Sequence, residues 1–493
     1  MKRVVLIQPL ILGYEDKPYI PHSLLYLAAA VRQHSDVRCD IVDYNVGDTV
    51  DACLGNEDLL FYGITSLTGS QLCSAEAIAR KIRSRRPEVP LVWGGIHATL
   101  ARRETISESY VDVVVKGEGE ETVNDLIRAY LTGRDLGNIA GILYKTDGRV
   151  HESPDRPPLD MDTLAPPAYE AIELSRYNTD VLWMNTSRSC PHRCTFCCNS
   201  GYRQEWRGMS AERIMAQLRA CLRMIDPGGV FFTDYNFFVD RDRIRRLAEY
   251  LIADRLDVRW MAHIVGSDAS QLEPEYVRLL KRSGCVSLIT GQDSSRRRMR
   301  AIGKPATHEQ IQAAGRTFAQ QGLSLTRNFI LGLPGEEYED VRSTVDDIAD
   351  LRSNCDEAIN IYVFCAWPGT PIIERLRRTP YQVPVNTGQW SRLIPGDADG
   401  QVFHPPRHRR LIRTVYYVLR SVYSMRVLPR LPEGGGGRIR PLRRYERVLL
   451  RLLSAAAAVR WRLRLFAFGI ECELFHLLVK RRYQQFAAIC RRR

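Results

Sequence analysis

Residues 188–197 read Arg-Ser-Cys-Pro-His-Arg-Cys-Thr-Phe-Cys, which sets Cys190, Cys194 and Cys197 at C-x3-C-x2-C spacing. Three thiolates on one short loop can bind three irons of a cubane cluster and leave the fourth iron without a protein ligand. A small molecule can then bind at that open iron. Zinc is the alternative metal, but zinc prefers four ligands, usually from two C-x2-C pairs or with histidines. His192 lies too close in sequence to the flanking thiols to complete such a site comfortably.

Residues 189–197, here called the cluster loop, resemble the signature of the radical S-adenosylmethionine (radical SAM) superfamily. In that family three cysteines hold a [4Fe–4S] cluster, and the amino and carboxyl groups of S-adenosylmethionine (SAM) chelate its open iron. The resemblance implies that Cys190, Cys194 and Cys197 are the metal ligands and the catalytic centre. It also implies that Phe196, directly before the third thiol, shields the cluster and contacts adenine.

A strand end further along the chain resembles a motif of the cobalamin-dependent radical SAM enzymes. Residues 230–237, Val-Phe-Phe-Thr-Asp-Tyr-Asn-Phe, are similar to Phe-x-Asp-Asp-Asn-Phe. This implies that Asp234 accepts a hydrogen bond from the SAM amino group, where a carboxylate suits an ammonium. Tyr235 replaces the usual second Asp, so a phenol is expected to face the substrate in a catalytic role. A helix cap or a turn is the alternative role for such an aspartate.

Three later segments resemble the SAM-binding parts of the same family. Gly291-Gln292-Asp293-Ser294 is similar to Gly-x-Glu-Ser, which implies that Asp293 and Ser294 bind the ribose and carboxylate region of SAM. The glycine-rich segment 329–336 resembles the strand end that packs against adenine, and it implies a contact from Gly332. Residues 362–371 resemble the closing strand and its turn, with Phe364 as a further cofactor contact.

Strands are predicted near residues 181, 230, 259, 286, 326 and 361, with helices between them, which favours a parallel α/β fold. In this order they resemble the partial (β/α)6 barrel of radical SAM enzymes. We place this core at residues 181–400. A Pro-rich linker with little regular structure is expected at 151–180, and a basic helical segment at 401–493.

The first 150 residues alternate short apolar runs with helical segments, which predicts a Rossmann-like parallel sheet with crossover helices. We predict strands at 3–8, 38–44, 59–66, 91–93 and 111–115, and helices at 24–34 and 75–84. A sheet of this kind binds ligands at the carboxyl ends of its strands.

Distinctive residues follow three of these strands, namely Thr65-Ser66-Leu67, Gly94-Gly95-Ile96-His97 and Lys116-Gly117-Glu118-Gly119-Glu120. Glycine lets a large group approach the backbone closely, although a Gly-Gly after a strand is also typical of a tight turn. With the cluster loop downstream, the segments resemble a cobalamin-binding domain, in which Ser-x-Leu precedes Gly-Gly at this distance. Here 26 residues separate Leu67 from Gly94, and Thr65 replaces the serine. The resemblance implies that cobalamin contacts Thr65, Ser66, Leu67, Gly94, Gly95, His97, Gly117 and Glu118.

Many cobalamin domains also carry Asp-x-His-x-x-Gly, whose histidine binds cobalt from below. Residues 17–23 of this chain contain His22, but Ile20 stands where the Asp partner would be. A ligating imidazole normally needs such an acceptor to fix its tautomer. We therefore expect no histidine below the cobalt, and we expect His22 to pack at the start of a helix, between Pro21 and Ser23.

The formal net charge of +13 is unevenly distributed. Residues 404–493 contain 22 Lys or Arg and 4 Asp or Glu, whereas the remainder carries a net charge of −5. This distribution argues against nucleic-acid binding by the catalytic core. Arg443, Arg447 and Arg451 form a basic stripe at helical spacing beyond the Gly434–Gly437 linker. The segment is expected either to cap the barrel with a solvated face or to contact an anionic membrane or a lipid-like substrate.

No signal peptide or transmembrane stretch is visible in the sequence, which predicts a cytoplasmic protein with possible peripheral membrane association. In a reducing compartment cysteines stay free or bind metal. The ten cysteines outside the cluster loop triad are expected to be small buried hydrophobes: Cys39, Cys53, Cys73, Cys198, Cys221, Cys285, Cys355, Cys365, Cys472 and Cys490.

Taken together, the resemblance implies a cobalamin-dependent radical SAM enzyme that methylates an unactivated carbon of a specialised metabolite or lipid. The chemistry implied is a 5′-deoxyadenosyl radical plus methylcobalamin, with electrons from an external donor such as a flavodoxin or ferredoxin. One alternative is ring formation or rearrangement without net methylation. Another is a non-catalytic cobalamin sensor, against which the intact cluster cysteines argue. A methylthiotransferase is not favoured, because no second three-cysteine domain precedes the cluster loop.

Overall fold

The computed structural model describes most of the chain from residue 1 to residue 485. The described residues are 1–12, 17–202, 204–354, 358–393, 404–423, 431–432, 439–440, 444–463, 466, 471–475, 477–478, 481 and 484–485.

Seven strands form one sheet in the N-terminal domain. They are β1 Lys2–Gln8, β2 Val37–Asp43, β3 Leu59–Thr65, β4 Leu91–Gly94, β5 Val113–Val115, β6 Ile142–Thr146 and β7 Arg149–Glu152. Their spatial order is β2-β1-β3-β4-β5-β6-β7, and the first five run parallel. The predicted Rossmann-like sheet is therefore confirmed.

The antiparallel hairpin β6–β7 was not predicted from the sequence. Its turn is Asp147-Gly148, and both residues have positive φ, 49° and 73°. This is the backbone geometry that a two-residue hairpin requires. The sheet consequently continues to Glu152, past the domain boundary predicted at residue 150.

Five helices cover the two faces of this sheet. They are α1 His22–Val31, α2 Ser70–Arg85, α3 Gly95–Leu100, α4 Arg102–Ser107 and α5 Glu120–Thr132. Helices α1 and α5 pack together on one face, through side chains such as Leu24 and Leu126. Helix α2 packs on the other face, in a core that also contains Leu333, Phe364 and Trp390 from beyond residue 330. The N-terminal domain thus shares a hydrophobic core with the rest of the molecule.

The second domain is the predicted partial barrel, which is confirmed. Its six parallel strands are β8 Val181–Met184, β11 Gly229–Phe232, β12 Trp260–His263, β13 Cys285–Asp293, β14 Ser324–Leu331 and β15 Ile359–Val363. They neighbour one another in the order β15-β14-β13-β12-β11-β8. A short antiparallel pair, β9 Ser187–Arg188 and β10 Arg207–Gly208, brackets the cluster loop.

The described residues of this domain form nine helices. They are α6 Cys198–Gly201, α7 Ala211–Leu222, α8 Arg241–Ala253, α9 Gly266–Ala269, α10 Pro274–Arg282, α11 His308–Gln320, α12 Tyr338–Asn354, α13 Pro371–Leu376 and α14 Thr387–Trp390. Between the two domains, residues 153–180 contain only the short 3-10 turns Tyr169–Ala171 and Leu174–Arg176.

The described part of the C-terminal segment is mainly helical. It contains α15 Pro406–Tyr423, the strand pair β16 Leu431–Pro432 and β17 Ile439–Arg440, and α16 Arg444–Leu463. Helix α15 packs on the barrel through Ile412 and Val415, and the Tyr417 hydroxyl donates to the Leu453 carbonyl of α16. No helix among the described residues is long and apolar enough to cross a membrane.

The predicted basic stripe falls only partly within the described residues. Arg443, the Arg447 side chain and Gly434–Gly437 lie outside them, and Arg451 is exposed. Exposed apolar side chains also occur on α16, namely Val448, Leu452, Val459 and Leu463. The membrane contact therefore stays a prediction.

Candidate functional site

The cluster loop is held in place by two segments that follow it in sequence by more than 100 residues. The Thr195 amide donates to the Ile302 carbonyl at 2.9 Å, and the Thr195 carbonyl accepts from the Ile372 amide at 2.9 Å. Directly after the loop, the Asn199 side chain donates to the Cys190 carbonyl at 3.2 Å. These contacts fix the backbone that carries the three thiols.

Cys190, Cys194 and Cys197 are half-buried free cysteines. Burial raises the pKa of Cys190 and of Cys194 to about 11, so both thiols are protonated at neutral pH until a cationic group displaces the proton. Among the described residues, no three His, Cys, Asp or Glu side chains are grouped to hold a single metal ion. In a cubane cluster each thiolate binds a different iron, so three soft sulfur donors on one ordered loop fit that group.

Cys198 differs from the buried, inert residue that was expected. It is half-buried, and its Sγ lies 3.8 Å from the Tyr235 hydroxyl. A hydrogen bond with Cys197 lowers the pKa of Cys198 to about 7 and raises that of Cys197. Of the other cysteines, Cys53, Cys221, Cys285 and Cys472 are buried and Cys39, Cys73 and Cys365 are half-buried, while Cys355 and Cys490 lie outside the described residues.

Phe196 and Phe364 belong to one hydrophobic cluster, although 168 positions separate them in the chain. Phe364 is 5% exposed, and Phe196 is half-buried at the edge of the same cluster. Leu333, next to the predicted contact Gly332, is also a member. The structure thus brings the aromatic residue of the cluster loop together with the ends of β14 and β15.

Glu336 organises the strand end that contains Gly332. Its carboxylate accepts from the Gly332 amide at 2.7 Å, the Leu333 amide at 3.2 Å and the Ser294 hydroxyl at 3.0 Å. Burial raises its pKa to about 7. No role for Glu336 was predicted from the sequence, although the residue directly follows the turn Pro334-Gly335. Because Ser294 donates to this carboxylate, Glu336 ties two predicted SAM contacts together.

The predicted SAM-binding residues Asp293 and Asp234 both have partners within the protein. Asp293 has a positive φ of 65°, and its carboxylate accepts from the Lys304 ammonium at 2.6 Å. Asp234 is fully buried, and both of its carboxylate oxygens accept from the Thr186 amide and hydroxyl at 3.1 to 3.3 Å. Burial raises the pKa of Asp234. Their direct contact with SAM stays a prediction.

A mostly apolar cavity of about 250 Å³ opens where β1, β3, β4 and β5 end. Its walls include Leu24 and Leu27 of α1 and Val123 and Leu126 of α5. Gly63 in β3 leaves this wall flat, because a Cβ there would lie 2.8 Å from a Leu6 methyl group. A flat apolar cleft between sheet and helices fits a planar ring such as the base of a nucleotide tail. Of the predicted cobalamin contacts, five line it: Thr65, Gly94, Gly95, Gly117 and Glu118.

Two other predicted cobalamin contacts, Ser66 and Leu67, lie in the turn after β3, and Ser66 hydrogen-bonds to the end of β4. The buried Ser66 hydroxyl donates to the Gly94 carbonyl at 2.7 Å and accepts from the Ala98 amide at 3.1 Å. Gly95 has φ 89°, and a Cβ there would lie 2.7 Å from the Ser66 carbonyl oxygen. The glycine is therefore required for the close approach of the two loops. Leu67 is half-buried in the same turn.

His97 is fully buried and neutral. Its Nδ1 lies 2.9 Å from the Thr68 hydroxyl, and its ring centre lies 6.4 Å from that of Trp390. Burial lowers its pKa to about 3. His22, in contrast, is the first residue of α1, as expected, and its Nε2 lies 3.1 Å from the Tyr169 hydroxyl. Cobalamin contact by His97 stays a prediction.

A second cavity, of about 390 Å³, lies between the two domains. Its lining is rich in amide and hydroxyl groups, namely Thr99, Asn185, Ser187, Ser189, Asn199, Tyr202, Gln204, Thr233 and Tyr235. Tyr235 is 50% exposed, whereas its neighbour Asp234 is buried. The two cavities share Gly95, Gly117, Glu118 and Arg188, so they meet at the loop that follows β5.

Four charged side chains join the two domains at this point. Arg188 contacts Glu118 at 3.2 Å and Glu120 at 3.2 Å, and Arg207 contacts both carboxylate oxygens of Glu118, at 2.5 and 3.1 Å. Their side chains are only 10 to 19% exposed. Burial would raise the pKa of Glu118, but Arg207 and Arg188 outweigh it and lower that pKa. We call these four residues the bridging network.

Close packing reinforces the bridging network. A Cβ on Gly117, which has φ 76°, would overlap the Tyr202 hydroxyl. A Cβ on Gly201 would lie 2.8 Å from a Leu100 methyl group and 3.0 Å from the Gly369 carbonyl oxygen. Residues directly after the cluster loop therefore pack against α3 of the N-terminal domain. Sequence reasoning missed Arg188 and Arg207.

Comparison with known proteins agrees with this architecture. A family model described as the radical SAM superfamily matches residues 184–348, and one described as a B12 binding domain matches residues 16–127. An uncharacterized methyltransferase of Pyrococcus horikoshii is 31% identical over 386 residues, 76% of this chain and 82% of that protein. An anaerobic magnesium-protoporphyrin IX monomethyl ester cyclase of Rubrivivax gelatinosus is 26% identical over 326 residues, 64% of this chain and 58% of that protein.

Two solved structures share the fold. OxsB, a cobalamin-dependent SAM radical enzyme solved with aqua-cobalamin and SAM bound, superposes with a TM-score of 0.67 at 17% identity, covering 99% of this chain and 84% of that chain. TsrM, a radical SAM methyltransferase from Kitasatospora setae solved with cobalamin and a [4Fe-4S] cluster, gives a TM-score of 0.62 at 16% identity, covering 85% and 96%. The Rossmann-like domain and partial barrel are thus combined in known proteins.

Replacing Glu336 tests the role of its buried carboxyl group. A pKa of about 7 in the folded protein, against 4.5 ordinarily, means that folding disfavours the ionised form. Wild-type stability should therefore fall as pH rises through about 7, by up to about 3 kcal/mol between pH 5 and pH 8. The Glu336→Gln variant should lose most of this pH dependence in chemical denaturation, and the exposed neighbour variant Glu337→Gln should keep it. Equal pH profiles for wild type and Glu336→Gln would contradict the assignment.

Replacing Arg188 tests the bridging network. Arg188→Met removes one of the two positive charges that neutralise the buried Glu118 and Glu120 carboxylates. Breaking a buried ion pair in this way lowers the free energy of unfolding by about 3 to 5 kcal/mol. We expect a lower denaturation midpoint and weaker binding of hydroxocobalamin, measured by absorbance titration. The control Arg193→Met removes the same charge from an exposed position of the adjacent cluster loop and should shift stability by less than about 0.5 kcal/mol. Similar behaviour of the two variants would show that the network contributes little.

Proposed function

The chain belongs to the cobalamin-dependent radical SAM enzymes, and on that basis we propose that it transfers a methyl group to an unactivated carbon of a small molecule. The observation that carries the proposal is the meeting of the two cavities at Gly95, Gly117, Glu118 and Arg188. A cobalamin held by the first cavity would face the second, at whose edge the cluster loop lies. Similarity to a methyltransferase over 82% of that protein's length supports methylation as the outcome.

The residues present fit the cofactors of the family. Cys190, Cys194 and Cys197 would hold the cluster, and the glycines at the ends of β4 and β5 would admit cobalamin. When bound, these groups supply reductive cleavage of SAM and methyl transfer. The protein's own contribution is to position the reacting partners and to exclude water.

Individual side chains have distinct positioning roles in this proposal. In the bridging network, Glu118 and Glu120 beside the first cavity pair with Arg188, which immediately precedes the cluster loop. These ion pairs fix the first cavity relative to the cluster loop. Phe196 and Phe364 close the apolar side of the site. Glu336 holds the Gly332 amide and the Ser294 hydroxyl in one arrangement. Tyr235 presents its phenol to the cavity between the domains.

The lining of the second cavity supports a substrate with hydrogen-bonding groups. Asn185, Asn199 and Gln204 offer amides, and Thr233 and Tyr235 offer hydroxyls. A lipid-like substrate, with peripheral contact to an anionic membrane, is the second candidate. It rests on the 22 Lys or Arg of residues 404–493 and on the exposed apolar side chains of α16. An external one-electron donor such as a flavodoxin or ferredoxin is proposed as the redox partner.

Ring formation or rearrangement without net methylation is the second candidate reaction. It is favoured by the similarity to an anaerobic magnesium-protoporphyrin IX monomethyl ester cyclase over 64% of this chain. A non-catalytic cobalamin sensor is less favoured, because all three cluster cysteines are present on an ordered loop.

Product analysis distinguishes these reactions. Protein reconstituted anaerobically with iron, sulfide and cobalamin should be incubated with SAM that carries a deuterated methyl group and with candidate small molecules. Methylation predicts S-adenosylhomocysteine and 5′-deoxyadenosine in about equal amounts and a labelled methyl group in the product. Ring formation predicts 5′-deoxyadenosine with little S-adenosylhomocysteine. The Cys194→Ala variant should form neither, whereas Cys39→Ala, away from the site, should behave as wild type.

Absence of label transfer, with substrate-dependent 5′-deoxyadenosine formation, would contradict the methylation proposal and favour ring formation. Cobalamin binding with no SAM cleavage under any of these conditions would favour the sensor.

A further inference from the structure

The turn 302–304 packs directly against the cluster loop. The Ile302 carbonyl accepts from the Thr195 amide at 2.9 Å and from its hydroxyl at 3.3 Å. Gly303 has φ 73°, and a Cβ there would lie 3.0 Å from the Arg193 carbonyl oxygen. The Lys304 amide donates to the Met299 carbonyl at 3.0 Å. The turn therefore has one fixed position relative to the three thiols.

This turn places a buried cation beside the cluster cysteines. The Lys304 side chain is 8% exposed, and its ammonium lies 2.6 Å from the Asp293 carboxylate. Its charge also interacts electrostatically with Cys190, Cys194, Cys197 and His192. Burial would lower the pKa of Lys304, but its negative neighbours, of which Asp293 acts most strongly, raise that pKa, so the ammonium stays charged.

We propose that Lys304 sets the reduction potential of the [4Fe–4S] cluster held by the cluster loop. The reduction adds one electron to the cluster from a low-potential one-electron donor and changes no covalent bond. A fixed positive charge stabilises the more negative, reduced state, and it does so strongly where water is excluded. Asp293 partly neutralises this charge and therefore opposes its effect. The proposal rests on the family assignment and is independent of whether methylation is the reaction.

Because the Lys304 side chain is buried, its charge acts on the cluster as well as on the stability of the fold. Bulk water screens exposed charges, but the Lys304 side chain is buried beside Asp293 of β13, on the turn that packs against the cluster loop. The Lys304 ammonium and the Asp293 carboxylate form an ion pair, and this pair is a dipole next to the thiols. Its positive end raises the potential and its negative end lowers it. Removing the ammonium should therefore make the reduction potential more negative, and removing the carboxylate charge should make it less negative.

The test is a potentiometric titration of the reconstituted full chain without SAM, followed by electron paramagnetic resonance (EPR) of the reduced cluster. Lys304→Met should reduce the ratio of reduced to oxidised cluster at a given potential at least tenfold, which is about 59 mV for one electron. Lys304→Arg keeps the charge and should restore the wild-type potential. Lys281→Met, at an exposed position, should leave the potential unchanged.

Asp293→Asn provides the opposite test and should shift the potential to less negative values. A wild-type potential in Lys304→Met would overturn the proposal. If Lys304→Met fails to assemble a cluster, as judged by iron and sulfide content, Asp293→Asn decides. A potential in Asp293→Asn equal to or below that of wild type would then overturn it. Because no substrate is present, the outcome does not depend on the methyl transfer proposed above.

Discussion

The contact between two carboxylates after β5 and two arginines around the cluster loop is the constraint on which the site depends. Glu118 and Glu120 line the first cavity, and Arg188 and Arg207 belong to the strand pair that brackets the cluster loop. All four are largely buried, so breaking one ion pair would leave a charge with poor solvation. The arrangement therefore fixes how the first cavity faces the cluster loop.

The hydrophobic core supports the same geometry from a second side. One continuous cluster contains Leu72 and Ile78 of α2 together with Leu333, Phe364 and Trp390 of the barrel domain. The cluster loop packs on this core through Phe196 and hydrogen-bonds to Ile302 of the turn 302–304, which belongs to the same core. As a consequence, the three thiols occupy one ordered position although they lie on a loop with little regular structure of its own.

The sequence was sufficient to predict the architecture and the cluster loop. Apolar runs of strand length predicted all five parallel strands of the first sheet, and the cysteine spacing identified the loop. The hairpin β6–β7 was missed because no strands were predicted between residue 115 and the linker expected from residue 151, and its second strand crosses that expected boundary. The bridging network could not be predicted, since Arg188 and Arg207 meet carboxylates 68 and 89 positions away. Which residues pair over such distances depends on how the two domains dock. The pattern of residues in one sequence contains no information about that docking. Lys304 and Glu336 were missed for a different reason, because their partners Asp293, 11 positions away, and Ser294, 42 positions away, become neighbours only when the strand ends of the barrel meet.

The most direct test of this account is the magnetic interaction between the two cofactors in the reconstituted protein. Cob(II)alamin and the reduced cluster are both paramagnetic, so their proximity can be measured by pulsed EPR. If the two cavities bring the cofactors together, cob(II)alamin should relax faster in wild type than in a Cys194→Ala variant that lacks the cluster but binds cobalamin. Identical relaxation in the two proteins, with full loading of both groups in wild type, would contradict the claim that the two cavities bring the cofactors together.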